Sequence, residues 1–514
     1  MWLQHLLDQR CSSAPDGIAL RDVRREVTWS RLHRDAHALA HAIGQRSTPG
    51  DRVVLLSANR VEVLEAVFAC ALSATVAVPL NPALADREIS DTLDQVTPGC
   101  ALADTGGLSR LERLRPDLPL LAADSVAALA DSPARESGAG THTGADAGLS
   151  DPVMILHTSA TTGSPKGVVC DQNYFRNQAA SWQAEVGQDR RDAYLHTSPL
   201  CHGSITIALD YLATGAPVTV LDQFTPHGFL AAVEQWRVRH TFLVPTMLRL
   251  LLDCRQLPDS DLASLHLVTH GGAPCPPDLA HEAGEALGCG MRTIFGITEG
   301  GGPVLSLGPD EEPEAAAVAG ATCAGRAMPG ITARITTAQG CAAAPYQAGT
   351  LHLKGSALMR GYWNNPQATE QTIVNGWLNT GDLGYQDTDG YLWILNRRSD
   401  LILRGGQNVY PAEVEHVLRT LAWVAEAAVV PAPCDTLGQT PVAFIQPTAT
   451  DDFDERELIA HCIRNLAGYK RPTRFIPIQT LPRNTLGKLL RRPLEQHAAA
   501  LAPSDPSHTP GRPT

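Results

Sequence analysis

No two of the twelve cysteines stand at CxxC spacing, and none lies at a zinc-type distance from histidine. This excludes a disulfide framework and a cysteine-based metal site, and leaves free thiols as the default reading. Cations are also short, since 41 Lys and Arg stand against 54 Asp and Glu, a formal charge of -13. A nucleic-acid surface needs clustered Lys and Arg, so small-molecule chemistry is the better expectation. Long apolar runs are missing too. The most apolar stretch, AVFACALSATVAVPL at Ala66–Leu80, is too short to span a bilayer. The opening MWLQHLLDQRCSSAPD carries an acid at Asp8 and no sustained apolar run, unlike a secretion signal. A reducing, cytoplasmic setting is expected.

What is present is a chain of 514 residues, 44% apolar and 18% charged, enough for a large core in roughly two to four domains. Strand-like runs (PVMIL, APVTVL, HTFLVP, LHLVTHGG) alternate with helical stretches such as PHGFLAAVEQWRVR and PTMLRLLLDCR, which is the rhythm of an α/β fold. Between Pro133 and Asp151 the periodicity gives way to Gly, Ala, Ser and Thr, as in a mobile surface connection. After GYLWILNRRSDLIL the texture changes to a compact set with a helix at PAEVEHVLRTL and strands around AAVVPAP and TPVAFIQP. The expected division is residues 1–397, 398–500 and a disordered tail at 501–514, with Pro, Ser and Thr gathering from Ala498 onward.

The segment HTSATTGSPKG, His157–Gly167, packs hydroxyls, glycines and one lysine in the manner of a phosphate cradle. Its order differs from the nucleotide-binding P-loop, where GxxxxGK runs directly into Ser or Thr. Gly163 and Gly167 let backbone amides turn toward an anion, and Lys166 supplies compensating charge. Taken alone, it also reads as a polar surface turn. Further along come PLNPAL, PLCHGS, GGAP, FGITE, NGWLNTGD, RRSDLILRGGQNVYPAEVE, YKRP and LPRNTLGKLLRR.

In this order the motifs resemble the adenylate-forming superfamily of acyl-CoA synthetases, peptide-synthetase adenylation domains and luciferases, over the span Pro79–Arg492. The usual family loop is TSG(S/T)TGxPKG, so Ala160 stands in place of a glycine and narrows the backbone choices of the loop. The resemblance implies a large multi-subdomain α/β N-terminal domain that binds AMP and the acid, and a small mobile α+β C-terminal domain that carries a catalytic lysine.

It further implies that Thr158, Ser159, Thr161, Thr162, Gly163 and Lys166 hold the β- and γ-phosphates of ATP. Thr298 would contact the α-phosphate and Glu299 would hold Mg2+, a hard cation suited to oxygen ligands. Gly271, Gly272, Ala273, Phe295 and Gly296 would border adenine, with Gly271 and Gly300 also facing the acid. Asp382 would accept from the ribose diol and Arg397 would reach ribose or phosphate. Lys488 would stabilise charge that develops as the carboxylate attacks phosphorus. Ser399 occupies the hinge position, where Asp or Lys is usual. Read without the family, Thr298 and Glu299 fit a helix cap, GGAP an everyday turn, and Arg483, Lys488, Arg491 and Arg492 a solvated basic face.

In PLCHGS, Cys201 and His202 stand where peptide-synthetase domains usually carry an Asp, so an α-amino acid would enter with its ammonium unpaired. His202 is read either as a gate on the acid pocket or as a core histidine bonded to backbone. The expected activity is conversion of a small carboxylic acid to acyl-AMP, then transfer to a thiol, with CoA as co-substrate. An amide-forming ligase using an amine, loading of a carrier protein, and a binding protein that has lost catalysis are the alternatives. A luciferase-like oxygenase is a further one. The identity of the acid is not legible in the sequence.

Overall fold

The computed structural model describes residues 2–131, 148–158, 166–187, 191–314, 316–318, 321–397, 400, 402–404, 407–434, 437–449, 452–466, 468–484 and 487–501. Two compact units result: Met1–Pro309 with Ala327–Thr332 and Leu353–Leu378, and Asp310–Arg326 with Ala333–His352 and Asn379–Thr514. The fold is α/β, with a large N-terminal part and a smaller C-terminal one. Ser159, Ala160, Thr161, Thr162, Gly163, Ser399 and the tail beyond Leu501 lie outside the described residues.

The first unit contains a seven-stranded sheet in the order Gly361–Tyr362, Lys166–Asp171, Pro152–Thr158, Val76–Leu80, Arg52–Leu56, Cys100–Ala103 and Leu120–Ala122. The inner strands read RVVLL, VAVPL and CALA, continuous apolar runs of the kind that parallel strands buried on both faces require. Helix Asp86–Val96 lays Ile89, Leu93 and Val96 on one face of it, spaced by four and three residues. The apolar stretch at Ala66–Leu80 is two elements. Helix Val61–Leu72 is buried along its whole length, and a turn with Ala74 at φ 53° leads into strand Val76–Leu80.

That helix carries Glu62 and Glu65 into the interior, and Arg25 meets both. Its guanidinium lies 2.7 Å from Glu65, 3.1 Å from Glu62 and 3.2 Å from Asp35. Burial pushes the Glu65 carboxyl upward, and Arg25 is the largest opposing influence.

A second run of strands in the same unit is parallel: Ile18–Arg21, Val218–Val220, Tyr194–His196, His240–Leu243, Leu267–Gly271 and Gly290–Ile297, closed by antiparallel Gly302–Leu307. Parallel strands end along one edge, where ligand loops of open α/β sheets gather. Three ends matter here: His196 leads to the Cys201–His202 turn, Gly271 to Gly272 and Ala273, and Ile297 to Thr298 and Glu299.

The second unit holds a five-stranded sheet in the order Gln407–Val409, Ile402–Arg404, Gly438–Pro447, Val424–Cys434, with Arg474–Pro477 parallel to Gly438–Pro447. Along Val424–Cys434 the side chains alternate between two cores: Ala427 and Val429 pack with Val414, Leu418 and Leu458, while Ala428 and Val430 pack with Phe444, Leu494 and Ala498. Ala498, where the composition changes, is buried in helix Arg491–Ala500. Among the described residues no helix is long and apolar enough to cross a membrane.

Replacing Arg25 by Met leaves buried carboxylates without their partner. The expected loss is about 3–5 kcal/mol of unfolding free energy, the scale for breaking a buried ion cluster from one side. Urea unfolding checks it, and a change within error of zero would contradict the structural role.

Candidate active site

The hydroxyl-rich segment follows strand Pro152–Thr158, as the run PVMIL suggests, and a second strand, Lys166–Asp171, comes after it. Pro152–Thr158 and Lys166–Asp171 are antiparallel neighbours, with Thr158 opposite Lys166 and His157 opposite Gly167. Lys166 is therefore the first residue of a strand, which gives its backbone a fixed register. The short strand Gly361–Tyr362 pairs on the outer side of this one, setting Tyr362 opposite Val168. Trp363 donates its amide N–H to the Gly167 carbonyl at 2.7 Å.

This pairing places Tyr362 between two of the candidate residues. The Lys166 ammonium lies over its ring, 4.9 Å from the centroid. Its hydroxyl donates to Glu299 Oε1 at 2.9 Å. The Glu299 carbonyl accepts the Met359 amide N–H at 2.9 Å, and the Thr298 carbonyl accepts from the Tyr174 hydroxyl, also at 2.9 Å. Thr298–Gly300 is a short 3-10 turn without a side-chain cap, so the cap reading of Thr298 and Glu299 is not what forms here. Gly301 at φ 111° and Gly302 at φ 98° follow it, conformations that L side chains rarely adopt. Tyr174 and Tyr362 were not singled out from the sequence. The signal for Tyr362 was the aromatic pair in RGYWNNP; Tyr174 sits in an ordinary helix and gives none.

The turn that carries His202 meets this same turn. A Cβ on Gly203 would lie 3.1 Å from Thr298 Oγ1, which brings the His202 turn against it. That turn is pinned from below by Asn59, which accepts from the Leu200 amide at 2.8 Å and donates to the carbonyls of Ser198 and Leu221 at 2.8 and 3.1 Å. His202 Nε2 is buried without a hydrogen-bond partner among the described residues, so the backbone-bonded alternative gains no support at that atom. Burial lowers its pKa to about 4, and the ring is neutral at physiological pH. A Cβ on Gly300 would press into Ile297 at 2.7 Å and Val304 at 3.1 Å, and one on Gly271 would meet the Ile294 carbonyl oxygen at 2.4 Å. Both glycines are required by close packing. Gly272 turns at φ 77° ahead of Ala273. Phe295 and Gly296 flank a bulge in the pairing with Gly302–Leu307, and Gly296 is exposed.

In the second unit, strands Trp377–Gln386 and Leu392–Arg397 set Asp382 directly opposite Arg397. Asp382 is 3% exposed, and its amide donates to Thr380 Oγ1 at 3.0 Å. Lys488 closes a tight hairpin: its amide donates to Asn484 Oδ1, its carbonyl accepts from the Asn484 amide, each at 2.9 Å, and Gly487 sits at φ 74°. Arg483 straps the hairpin down, donating to the Gly487 carbonyl at 2.6 Å and to both Glu426 oxygens at 2.7 Å. Arg491 is committed to Glu415 at 2.7 Å and Asp400 at 3.3 Å. Arg491 is thus structural, and the reading of this cluster as a solvated face does not hold for it, whereas Arg483 and Arg492 are exposed.

Two separate models match this chain: the AMP-binding enzyme model over residues 7–363, and the AMP-binding enzyme C-terminal domain model over residues 413–488. The chain belongs to the AMP-binding enzyme family. It is 34% identical over 496 residues to 2-succinylbenzoate--CoA ligase of Geobacillus kaustophilus, covering 95% of this chain and 97% of that one. It is also 34% identical over 483 residues to fatty acid--[acyl-carrier-protein] ligase ScoC of Streptomyces coeruleorubidus, covering 91% of each. O-succinylbenzoate coenzyme A synthetase of Bacillus subtilis, solved with ATP and magnesium, matches with a TM-score of 0.82 at 30% identity, over 95% of this chain and 98% of that one.

In this AMP-binding enzyme, removing the phenol that holds Glu299 tests the clamp. Tyr362→Phe is expected to slow ATP–pyrophosphate exchange on the order of 10- to 100-fold, the scale for a hydrogen bond to a charged group, and to raise the magnesium concentration at half-maximal rate. Wild-type exchange with wild-type magnesium dependence would contradict it.

Proposed function

We propose that the chain is an AMP-forming acid–thiol ligase. A carboxylate oxygen attacks the α-phosphorus of ATP, the bond to the bridging β-phosphate oxygen breaks, and pyrophosphate leaves. A thiolate then attacks the acyl carbon, forming the thioester and releasing AMP. The observation that carries this reading is the run Lys166–Tyr362–Glu299, in which a cation from the phosphate-loop hairpin and a carboxylate suited to magnesium meet on one tyrosine.

In this reading Thr158, Ser159, Thr161, Thr162, Gly163 and Lys166 take the departing phosphates. Thr298 faces the α-phosphate. Glu299 fits a magnesium ion because its carboxylate is partly exposed and one oxygen is already oriented by Tyr362. The ion, arriving with ATP, would neutralise phosphate charge. Gly271, Gly272, Ala273, Phe295 and Gly296 border the adenine, and His202 and Gly300 the acid. Neutral His202 with an unpaired Nε2 suits a polar contact to an uncharged acyl group. Asp382 takes the ribose hydroxyls, with Arg397 beside it in register. Lys488 supports the adenylation transition state, and residues 398–500 form the mobile domain that pivots at Ser399.

Coenzyme A is the proposed acceptor, on the strength of relatives named as CoA ligases. A carrier-protein thiol is a second reading, favoured by the relative named as a fatty acid--[acyl-carrier-protein] ligase. Both name a thiol acceptor, which does not favour the amine alternative. The twelve free cysteines support a cytoplasmic setting.

The test separates the two half-reactions. Lys488→Ala is expected to depress adenylation on the order of 10²- to 10³-fold, the scale for one lost transition-state charge stabiliser, while transfer from a supplied acyl-adenylate to coenzyme A falls far less. Equal losses in both steps would contradict the role of Lys488. The acid panel for this experiment spans aryl, succinylated aryl and medium-chain acids, with coenzyme A, a carrier protein and an amine as acceptors.

A further inference from the structure

Helix Trp29–Gly44 carries His33 and His37 four residues apart, so both imidazoles share one face. Their ring centroids are 4.4 Å apart and tilted by 48°. Helix Trp2–Ser13 packs on this helix and brings Asp8 to the pair, with His33 Nε2 and Asp8 Oδ1 3.1 Å apart. One ligand atom from each of the three residues lies within 4.8 Å of the others. Two nitrogen or oxygen ligands on a tetrahedral ion are about 3.4 Å apart. Small side-chain rotations therefore close the group around an ion without moving either backbone.

The backbones are well held. Leu3, Leu6 and Leu7 of the first helix and Leu32, Ala36 and Leu39 of the second are buried immediately beside the three polar residues. Side-chain exposures of 32% for His33 and 48% for Asp8 leave an approach for an ion and room for water to complete its coordination.

We propose that Asp8, His33 and His37 form a binding site for a first-row divalent metal ion, with zinc the best match to two imidazoles and a carboxylate. The site lies outside the ligase residues. Its effect is mechanical: the ion cross-links the first two helices of the chain and stabilises the folded state by mass action. Cysteine spacing carries no trace of this site, because its ligands are two imidazoles and a carboxylate, the last from a separate helix.

Tag-free, metal-free full-length protein titrated with zinc chloride in a calorimeter tests the site, with cobalt as spectroscopic substitute because the twelve cysteines can also bind zinc. One equivalent is expected to bind, and cobalt at that stoichiometry should show no thiolate charge-transfer band. His37→Ala and Asp8→Asn should each weaken binding on the order of 10- to 100-fold or more. They should also shrink the zinc-induced rise in melting temperature correspondingly while leaving pyrophosphate exchange at the wild-type rate. Folded wild type that binds no zinc up to millimolar concentration would overturn the proposal. So would equal affinity in wild type and both variants, or a cobalt spectrum dominated by thiolate bands.

Discussion

The bond from the Tyr362 hydroxyl to Glu299 is the contact on which the candidate site depends. It ties the turn at the end of one sheet to an edge strand of the other, and the same ring carries Lys166 on its face. A carboxylate left on a glycine-rich turn could sample many directions, whereas here one oxygen is held and the turn's carbonyls are held by Tyr174 and Met359. Preorganisation of this kind matters because charge stabilisation is strongest where the groups need not reorganise during reaction. Two aromatic hydroxyls achieve it without adding charge to the site.

Parallel strands explain why the His202 turn meets Thr298. The strands ending at His196, Gly271 and Ile297 finish along one sheet edge, and the first and last of them bring the His202 turn against Thr298 from positions about a hundred residues apart in the sequence. Close approach then demands particular residues. Gly271 against the Ile294 carbonyl leaves no space for a side chain, and Gly203 lies tight against Thr298.

Much of this was legible from local pattern. Apolar runs bounded by turns located the strands, and the helix at PAEVEHVLRTL appears as Pro411–Arg419. The motif series marked Thr298, Glu299, Asp382 and Lys488, because spacing within a short segment survives in one dimension. What was not legible depends on strand pairing. That Lys166 opens a strand follows from an antiparallel hairpin, and the position of Tyr362 from an edge strand about 190 residues later in the chain. Charge alone misled at Arg491, whose partner Glu415 lies on another element. The His33–His37 pair was not singled out from the sequence, and Asp8 joins it only through helix packing.

Isotope transfer reports whether the carboxylate attacks the α-phosphorus. An accepted acid labelled with oxygen-18 in both carboxylate oxygens is turned over once with ATP, magnesium and coenzyme A, and the nucleotide product is weighed by mass spectrometry. The expected products are AMP carrying one labelled oxygen and unlabelled pyrophosphate. Formation of ADP, or AMP without label while the thioester accumulates, would contradict it.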